Sequence, residues 1–169
     1  DPVFLDSAYE TGKYLAERGV HVIYGGASVG TMGALARGVM DGNGKLTGVF
    51  PKGFRGRKDV ADAGIEVRFL NPSGYSGYEY IETQDFDVRI RTMETMSDAC
   101  IVLPGSTGTM HEFFSFFEGN VLGPGLKPIC ILNVAGYYDP LIAFLRLMVE
   151  RGFTGKEDLD CLIIESDPR

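Results

Sequence analysis

Hydrophobic positions along the chain follow two periods. Short continuous apolar runs alternate with stretches in which apolar residues recur every three or four positions. The first pattern predicts buried strands and the second amphipathic helices. A helix is expected over Ser7–Arg18, capped by Asp6, with Tyr9, Tyr14 and Leu15 on its apolar side and Gly19 as its stop signal. A strand over Val20–Tyr24 leads into Gly25-Gly26-Ala27-Ser28-Val29-Gly30. A helix over Gly30–Asp41 and a strand over Leu46–Phe50 follow. Residues 52–64 are polar and irregular, Ile65–Leu70 is a candidate short strand, and Asn71–Gly77 is rich in turn residues. The second half reads as helix Asp85–Ser97, strand Cys100–Leu103, helix Met110–Val121, strand Ile129–Asn133, helix Asp139–Arg151 and strand Leu162–Glu165.

Strands alternating with helices, and apolar along their whole length, predict an α/β fold. The expected form is a doubly wound parallel sheet with helices on both faces. No linker, repeat or low-complexity stretch divides the chain, so a single domain over residues 1–169 is expected. Such a sheet usually opens on a central strand. The sequence goes from Asp1-Pro2 towards a helix, so that first strand is expected to be missing from it.

Composition narrows the function classes. The chain is 44% hydrophobic and 23% charged, which excludes a disordered or fibrous protein. Its apolar runs are too short to span a bilayer, and no leader pattern opens it, so a cytoplasmic protein without membrane contact is expected. Sixteen basic residues against twenty-three acidic give a net charge of −7. Nucleic-acid polymers are bound through basic faces, so that role is set aside. Cys100, Cys130 and Cys161 lie far apart in apolar runs, as free thiols of a reducing compartment do. Two histidines, His21 and His111, cannot build a zinc cluster, although a carboxylate-only metal site stays open. Glycine, 23 of 169 residues, is about twice its usual share and clusters as turns and loops do.

Two of the loops carry candidate chemistry. Each joins a strand end to a helix start, at the carboxyl edge of a parallel sheet, where ligands bind. Helix N-termini there offer backbone N–H groups and partial positive charge, which suit phosphate. The first loop, Gly25–Gly33, has neither dinucleotide-fingerprint nor Walker spacing. It reads as a phosphate site at Gly25, Gly26, Ser28 and Gly30, or as a tight turn with Ser28 as helix cap. The second, Pro104–Glu112, can ring a phosphate with Gly105, Ser106, Thr107, Gly108 and Thr109. Its plainer reading is a capping box, because Thr109 and Glu112 have the spacing for one.

Other residues have an ordinary reading beside a functional one. Arg89 and Arg91 sit two apart on a helix, so they point in different directions; one can face the ligand edge while the other is solvated. Lys52, Arg55, Arg57 and Lys58 form either a solvated loop or an anionic-ligand lid. His111 reads as a surface or packing residue. Phe113, Phe114, Phe116 and Phe117 cannot all face one side, which suggests a helix buried on more than one face, as at a subunit contact.

The two loops resemble the Lonely guy (LOG) family, once labelled lysine-decarboxylase-like. Its hallmark Pro-Gly-Gly-x-Gly-Thr-x-x-Glu stands here as Pro104-Gly105-Ser106-Thr107-Gly108-Thr109-Met110-His111-Glu112. Its Tyr-Gly-Gly-Gly-x-x-Gly-x-Met-Gly stands as Tyr24-Gly25-Gly26-Ala27-Ser28-Val29-Gly30-Thr31-Met32-Gly33. Leu132-Asn133-Val134-Ala135-Gly136-Tyr137-Tyr138-Asp139-Pro140 is also family-like. The resemblance covers nearly the whole chain, in order. Four places depart from the pattern. Ser106 and Ala27 replace loop glycines, Asp87-Val88-Arg89-Ile90 stands for His-Glu-Arg-Lys, and Glu118-Gly119 stands for Thr-Trp. The family's first strand and its Gly-Ser-Ser loop have no counterpart.

The resemblance implies a phosphoribohydrolase. Such enzymes cleave the N-glycosidic bond of a nucleoside 5′-monophosphate, notably AMP or N6-modified AMP (the cytokinin nucleotides), to free base and ribose 5-phosphate. It also implies a Rossmann-like sheet, a homodimer or higher homo-oligomer, and a catalytic pair of Arg89 and Glu112. Glu112 would stabilise the oxocarbenium-like centre or orient water, and Arg89 would fix the nucleotide or keep Glu112 ionised. No metal or redox cofactor is required. The competing reading is a non-catalytic nucleotide or cofactor carrier similar to the molybdenum-cofactor carrier proteins. Lysine decarboxylation would be expected to use a Schiff-base lysine, and neither loop ends on one.

Overall fold

The computed structural model describes residues 1–52, 75–123 and 126–168. Arg55, Arg57, Lys58, the expected strand Ile65–Leu70 and the start of the turn-rich loop lie outside the described residues. The chain divides into two compact units, Asp1–Met96 and Ser97–Pro168.

In the first unit, helix α1 spans Pro2–Glu17, five residues earlier than expected. Asp1 rather than Asp6 is its cap, its carboxylate accepting the Val3 N–H at 3.2 Å. Asp followed by Pro is the stronger start signal, because proline at the first helical position gives up an N–H that has no helical partner anyway. Strand β1 is Val22–Tyr24, helix α2 Gly30–Asp41, strand β2 Leu46–Pro51, strand β3 Tyr78–Thr83 and helix α3 Phe86–Met96. Asp85 caps α3 by accepting the Val88 N–H at 2.8 Å. The strands pair in the order β1-β2-β3, all parallel, with Tyr24 opposite Gly48 and Gly48 opposite Tyr80.

Central β2 is buried along its whole length, as an inner parallel strand must be. Outer β3 was not expected at all. Its Glu79, Tyr80 and Glu82 are exposed, so it lacks the apolar run that marks an inner strand. Two glycines also changed meaning. A Cβ on Gly12 would stand 2.1 Å from the Leu35 carbonyl oxygen, and one on Gly38 2.0 Å from that of Tyr9. Here glycine serves backbone-to-backbone packing of α1 on α2 rather than a turn.

In the second unit, β4 (Cys100–Val102), β5 (Ile129–Leu132) and β6 (Leu162–Glu165) pair in that order, again parallel. Helix α4 spans Thr107–Leu122 and α5 spans Asp139–Glu150. The core gathers Val102, Phe113, Phe116, Phe117, Ile129 and Ile131 with Tyr138, Ile142 and Leu145. Phe113, Phe116 and Phe117 share one face of α4, and Phe113 and Phe117 stack with centroids 6.0 Å apart. Only Phe114 of the four is exposed, so the helix is buried on one broad face. All three cysteines are free, Cys161 buried and the other two half-buried. Burial, with Glu165 nearby, raises the Cys130 thiol above its usual range.

Candidate active site

The candidate residues fall into two sets, one on each unit. In the first, β1 stops at Tyr24 and the chain turns through Gly26 (φ +81°) and Gly30 (φ +57°), left-handed conformations that only glycine adopts cheaply. Val29, extended, holds the N-cap position of α2, and no side chain caps that helix. Ser28 therefore is not the cap that one reading gave it. Its backbone instead packs under Gly33, where a Cβ would meet the Ser28 carbonyl oxygen at 2.1 Å.

Arg89 comes to this loop from the first turn of α3. It is 8% exposed, and its Nε donates to the Val49 carbonyl near the end of β2 at 3.0 Å. Its Nη2 lies so close over Gly25 that a Cβ there would approach it to 2.5 Å, and the Met32 sulfur to 2.7 Å. Arg91, two positions on and so on another helix face, is exposed. The pair thus divides as their spacing allows. The ordinary reading, a solvated cation, fails for Arg89 because its helix side packs on the sheet.

In the second unit, Leu103 and Pro104 are buried, Gly105 is half-buried and Ser106, Thr107 and Gly108 are exposed. Ser106 holds the N-cap position of α4 without a side-chain capping bond. The helix starts three residues before the expected Met110, so Thr109 and Glu112 stand inside it. A capping box needs its first residue outside the helix and extended, so that reading is corrected. Thr109 folds its hydroxyl over Gly105, where a Cβ would meet Oγ1 at 2.1 Å. Glu112 is half-buried, three residues on from Thr109 and hence on a neighbouring part of the same face, while His111 is exposed.

Two residues that sequence reasoning gave no role hold this loop. Tyr137 donates its hydroxyl to the Gly105 carbonyl at 2.6 Å, and Tyr138 donates to that of Leu103 at 2.6 Å. Their rings meet edge to face, 4.9 Å apart. Asn133 steadies the segment, accepting the Tyr138 N–H and donating to Asp139, both at 2.7 Å. The signal was two adjacent tyrosines after a left-handed glycine, Gly136 at φ +72°. Burial raises the Tyr138 phenol well above its usual range. Among the described residues no group of three or more His, Cys, Asp or Glu could hold a metal ion, and no helix is long and apolar enough to cross a membrane.

A family model described as "Possible lysine decarboxylase" matches residues 32–169. The cytokinin riboside 5′-monophosphate phosphoribohydrolase LOG of Oryza sativa subsp. japonica is 35% identical over 163 residues, which cover 96% of this chain and 62% of that protein. The probable cytokinin riboside 5′-monophosphate phosphoribohydrolase LOGL1 of the same plant is 37% identical over 165 residues, covering 97% and 67%. The chain belongs to the LOG family. It spans about two thirds of the length of these LOG relatives. The molybdenum cofactor binding protein of Rippkaea orientalis shares the fold, with a TM-score of 0.67 over 99% of this chain at 21% identity. In this LOG chain the hallmark Pro104–Glu112 runs from the end of a strand into the second turn of α4; the Tyr137 bond ends on its Gly105 and the Tyr138 bond on Leu103, just before it.

Proposed function

We propose that the chain carries the activity for which its relatives are named. It hydrolyses the N-glycosidic bond of a nucleoside 5′-monophosphate, AMP or an N6-modified AMP, to free base and ribose 5-phosphate. The observation that carries this reading is the placement of Arg89. A guanidinium is expensive to bury, yet here it is anchored by the Val49 carbonyl beneath a glycine loop at the end of a parallel strand. A cation so fixed suits an anionic substrate group and supports this reading.

The chemistry follows from the residue types. The C1′–N bond breaks, and its electron pair goes to the base nitrogen, which takes up a proton. Water supplies the new C1′–O bond. Glu112 acts on the oxocarbenium-like sugar or orients that water. Arg89 holds the nucleotide. Each glycine loop, Gly25, Gly26, Ser28 and Gly30 in the first unit and Gly105, Ser106, Thr107, Gly108 and Thr109 in the second, suits a substrate phosphate, a remote contact that would hold the sugar in place for reaction. No metal or redox group enters these steps.

The working form is a homodimer or higher homo-oligomer. Phe114, Phe144, Leu147, Met148 and Phe153 of the second unit line one hollow with Arg151, and Phe153 is 84% exposed. Exposed aromatic residues so gathered support a subunit contact. Three free cysteines suit a reducing compartment such as the cytoplasm.

The deciding experiment is chromatography of the products from a panel of nucleoside monophosphates. Release of base with equimolar ribose 5-phosphate is the expected result. Tight AMP binding with no base release would favour a carrier. The base released fastest identifies the preferred substrate.

A further inference from the structure

We propose that Tyr137 is a positioning residue for the substrate's 5′-phosphate, acting through the Gly105–Ser106 peptide. The proposal rests on the phosphoribohydrolase reading and names a part of that site which neither glycine loop contains. In a planar trans peptide the carbonyl and the following N–H point in opposite directions. The Gly105 carbonyl is taken by the Tyr137 hydroxyl at 2.6 Å. The Ser106 N–H is thereby turned to the other side of that peptide. Ser106 is the N-cap residue of α4, so its N–H belongs to the group of four that find no partner within the helix. Donation into the carbonyl also polarises the peptide, which strengthens its N–H as a donor. One phenol thus sets both the direction and the strength of a donor at the loop.

Tyr138 provides the internal control. Its hydroxyl donates to the Leu103 carbonyl at the same distance. The N–H of that peptide would belong to Pro104, which has none. The Tyr138 bond to Leu103 can anchor the loop but can orient no donor, and the phenol's other backbone contact, at Gly105, is to the Pro104–Gly105 peptide and not to the Gly105–Ser106 peptide that Tyr137 holds. The two also differ in burial. Tyr138 is 3% exposed, whereas Tyr137 is 44% exposed and would exchange its partner for water at little cost to folding.

The test compares Tyr137→Phe with Tyr138→Phe. Tyr137→Phe is expected to weaken AMP binding and raise the KM for AMP about 3- to 10-fold, the worth of one hydrogen bond. Its kcat should change less and its melting temperature hardly at all. Tyr138→Phe should lower the melting temperature and leave AMP affinity within about 2-fold. In the ligand-free protein, the Ser106 amide resonance should shift in Tyr137→Phe and stay in place in Tyr138→Phe. AMP affinity unaltered by Tyr137→Phe, or an equal loss in both variants, would overturn the proposal alone. No AMP binding by the unaltered chain would overturn the functional reading and this proposal with it.

Discussion

Arg89 donates from Nε to the main-chain carbonyl of Val49 at 3.0 Å. The bond ties the first turn of α3 to the end of β2 and sets Nη2 of the guanidinium over Gly25. Lysine has no equivalent of Nε, and its ammonium is a point charge on a flexible stem. Arg89→Lys should therefore keep the charge and lose its placement. Base release from AMP is expected to fall by about 10²-fold or more, the scale of losing one preorganised electrostatic group. Steady-state kinetics over a range of AMP concentrations measures it. A variant that retains more than a tenth of wild-type kcat/KM would remove Arg89 from the machinery.

Gly25 is tied to the same guanidinium by space. A Cβ there would press on Arg89 Nη2 and on the Met32 sulfur. Both are ends of flexible side chains, so Gly25→Ala should fold and displace the guanidinium rather than break the unit. The expected result is a fall in kcat of about 10-fold, as for small misplacements of a catalytic group. A double-mutant cycle checks the cause. In an Arg89→Ala background, Gly25→Ala should lower kcat by far less than it does in the wild-type background. Equal effects in both backgrounds would mean that Gly25 acts only through its loop's phosphate contact or through Met32, and not through Arg89.

These two residues show how far the sequence could be read. Arg89 was picked out through the family resemblance, because a lone arginine on a helix carries no burial signal of its own. Helix α2 and strand β6 were legible to the residue, since glycine, proline and apolar runs bound them. Strand β3 was not, because its stability comes from pairing with β2 and not from an apolar sequence. The capping box at Thr109 was a correct local spacing in the wrong frame, since the chain enters the helix at Thr107. Tyr137 and Tyr138 were invisible as loop anchors. Their partners lie 32 and 35 positions away, and hydrogen bonds to main-chain carbonyls leave no mark on the partner's side chain.

In the proposed mechanism Glu112 is the residue on which the chemistry turns. Glu112→Gln preserves size and most hydrogen bonding and removes the charge. Base release should drop by about 10²- to 10⁴-fold, the range for a general acid–base group. Affinity for AMP, followed by calorimetry, should stay within a few-fold of wild type. Unchanged turnover in this variant would sink the assignment of Glu112.

Helix packing offers a test independent of activity. Gly38 faces the Tyr9 carbonyl oxygen, where an added Cβ would come to 2.0 Å. Main chain cannot step aside as a flexible side chain can, so α1 and α2 must separate. Gly38→Ala would otherwise favour the helix by about 1 kcal/mol through propensity. A net loss of stability of about 1–3 kcal/mol in urea unfolding is expected, as for overpacking. A stabilised variant would show that the helices are less closely packed than their glycines indicate.

The buried phenols set an alkaline limit on stability. Burial holds Tyr24, and with it Tyr138, above the ordinary value, and the Tyr78 hydroxyl adds to the effect at Tyr24. In the unfolded chain both ionise near pH 10. Above that pH the unfolded state binds fewer protons than the folded state, so stability falls as pH rises. Below it both states keep their phenol protons and the contribution is constant. Urea midpoints should thus be flat with respect to these groups up to about pH 9 and decline beyond pH 10. Tyr24→Phe removes one of the two groups and should make that decline shallower while leaving the neutral-pH slope unaltered. An identical alkaline decline in Tyr24→Phe would mean that its phenol ionises as easily in the folded protein as in the unfolded chain.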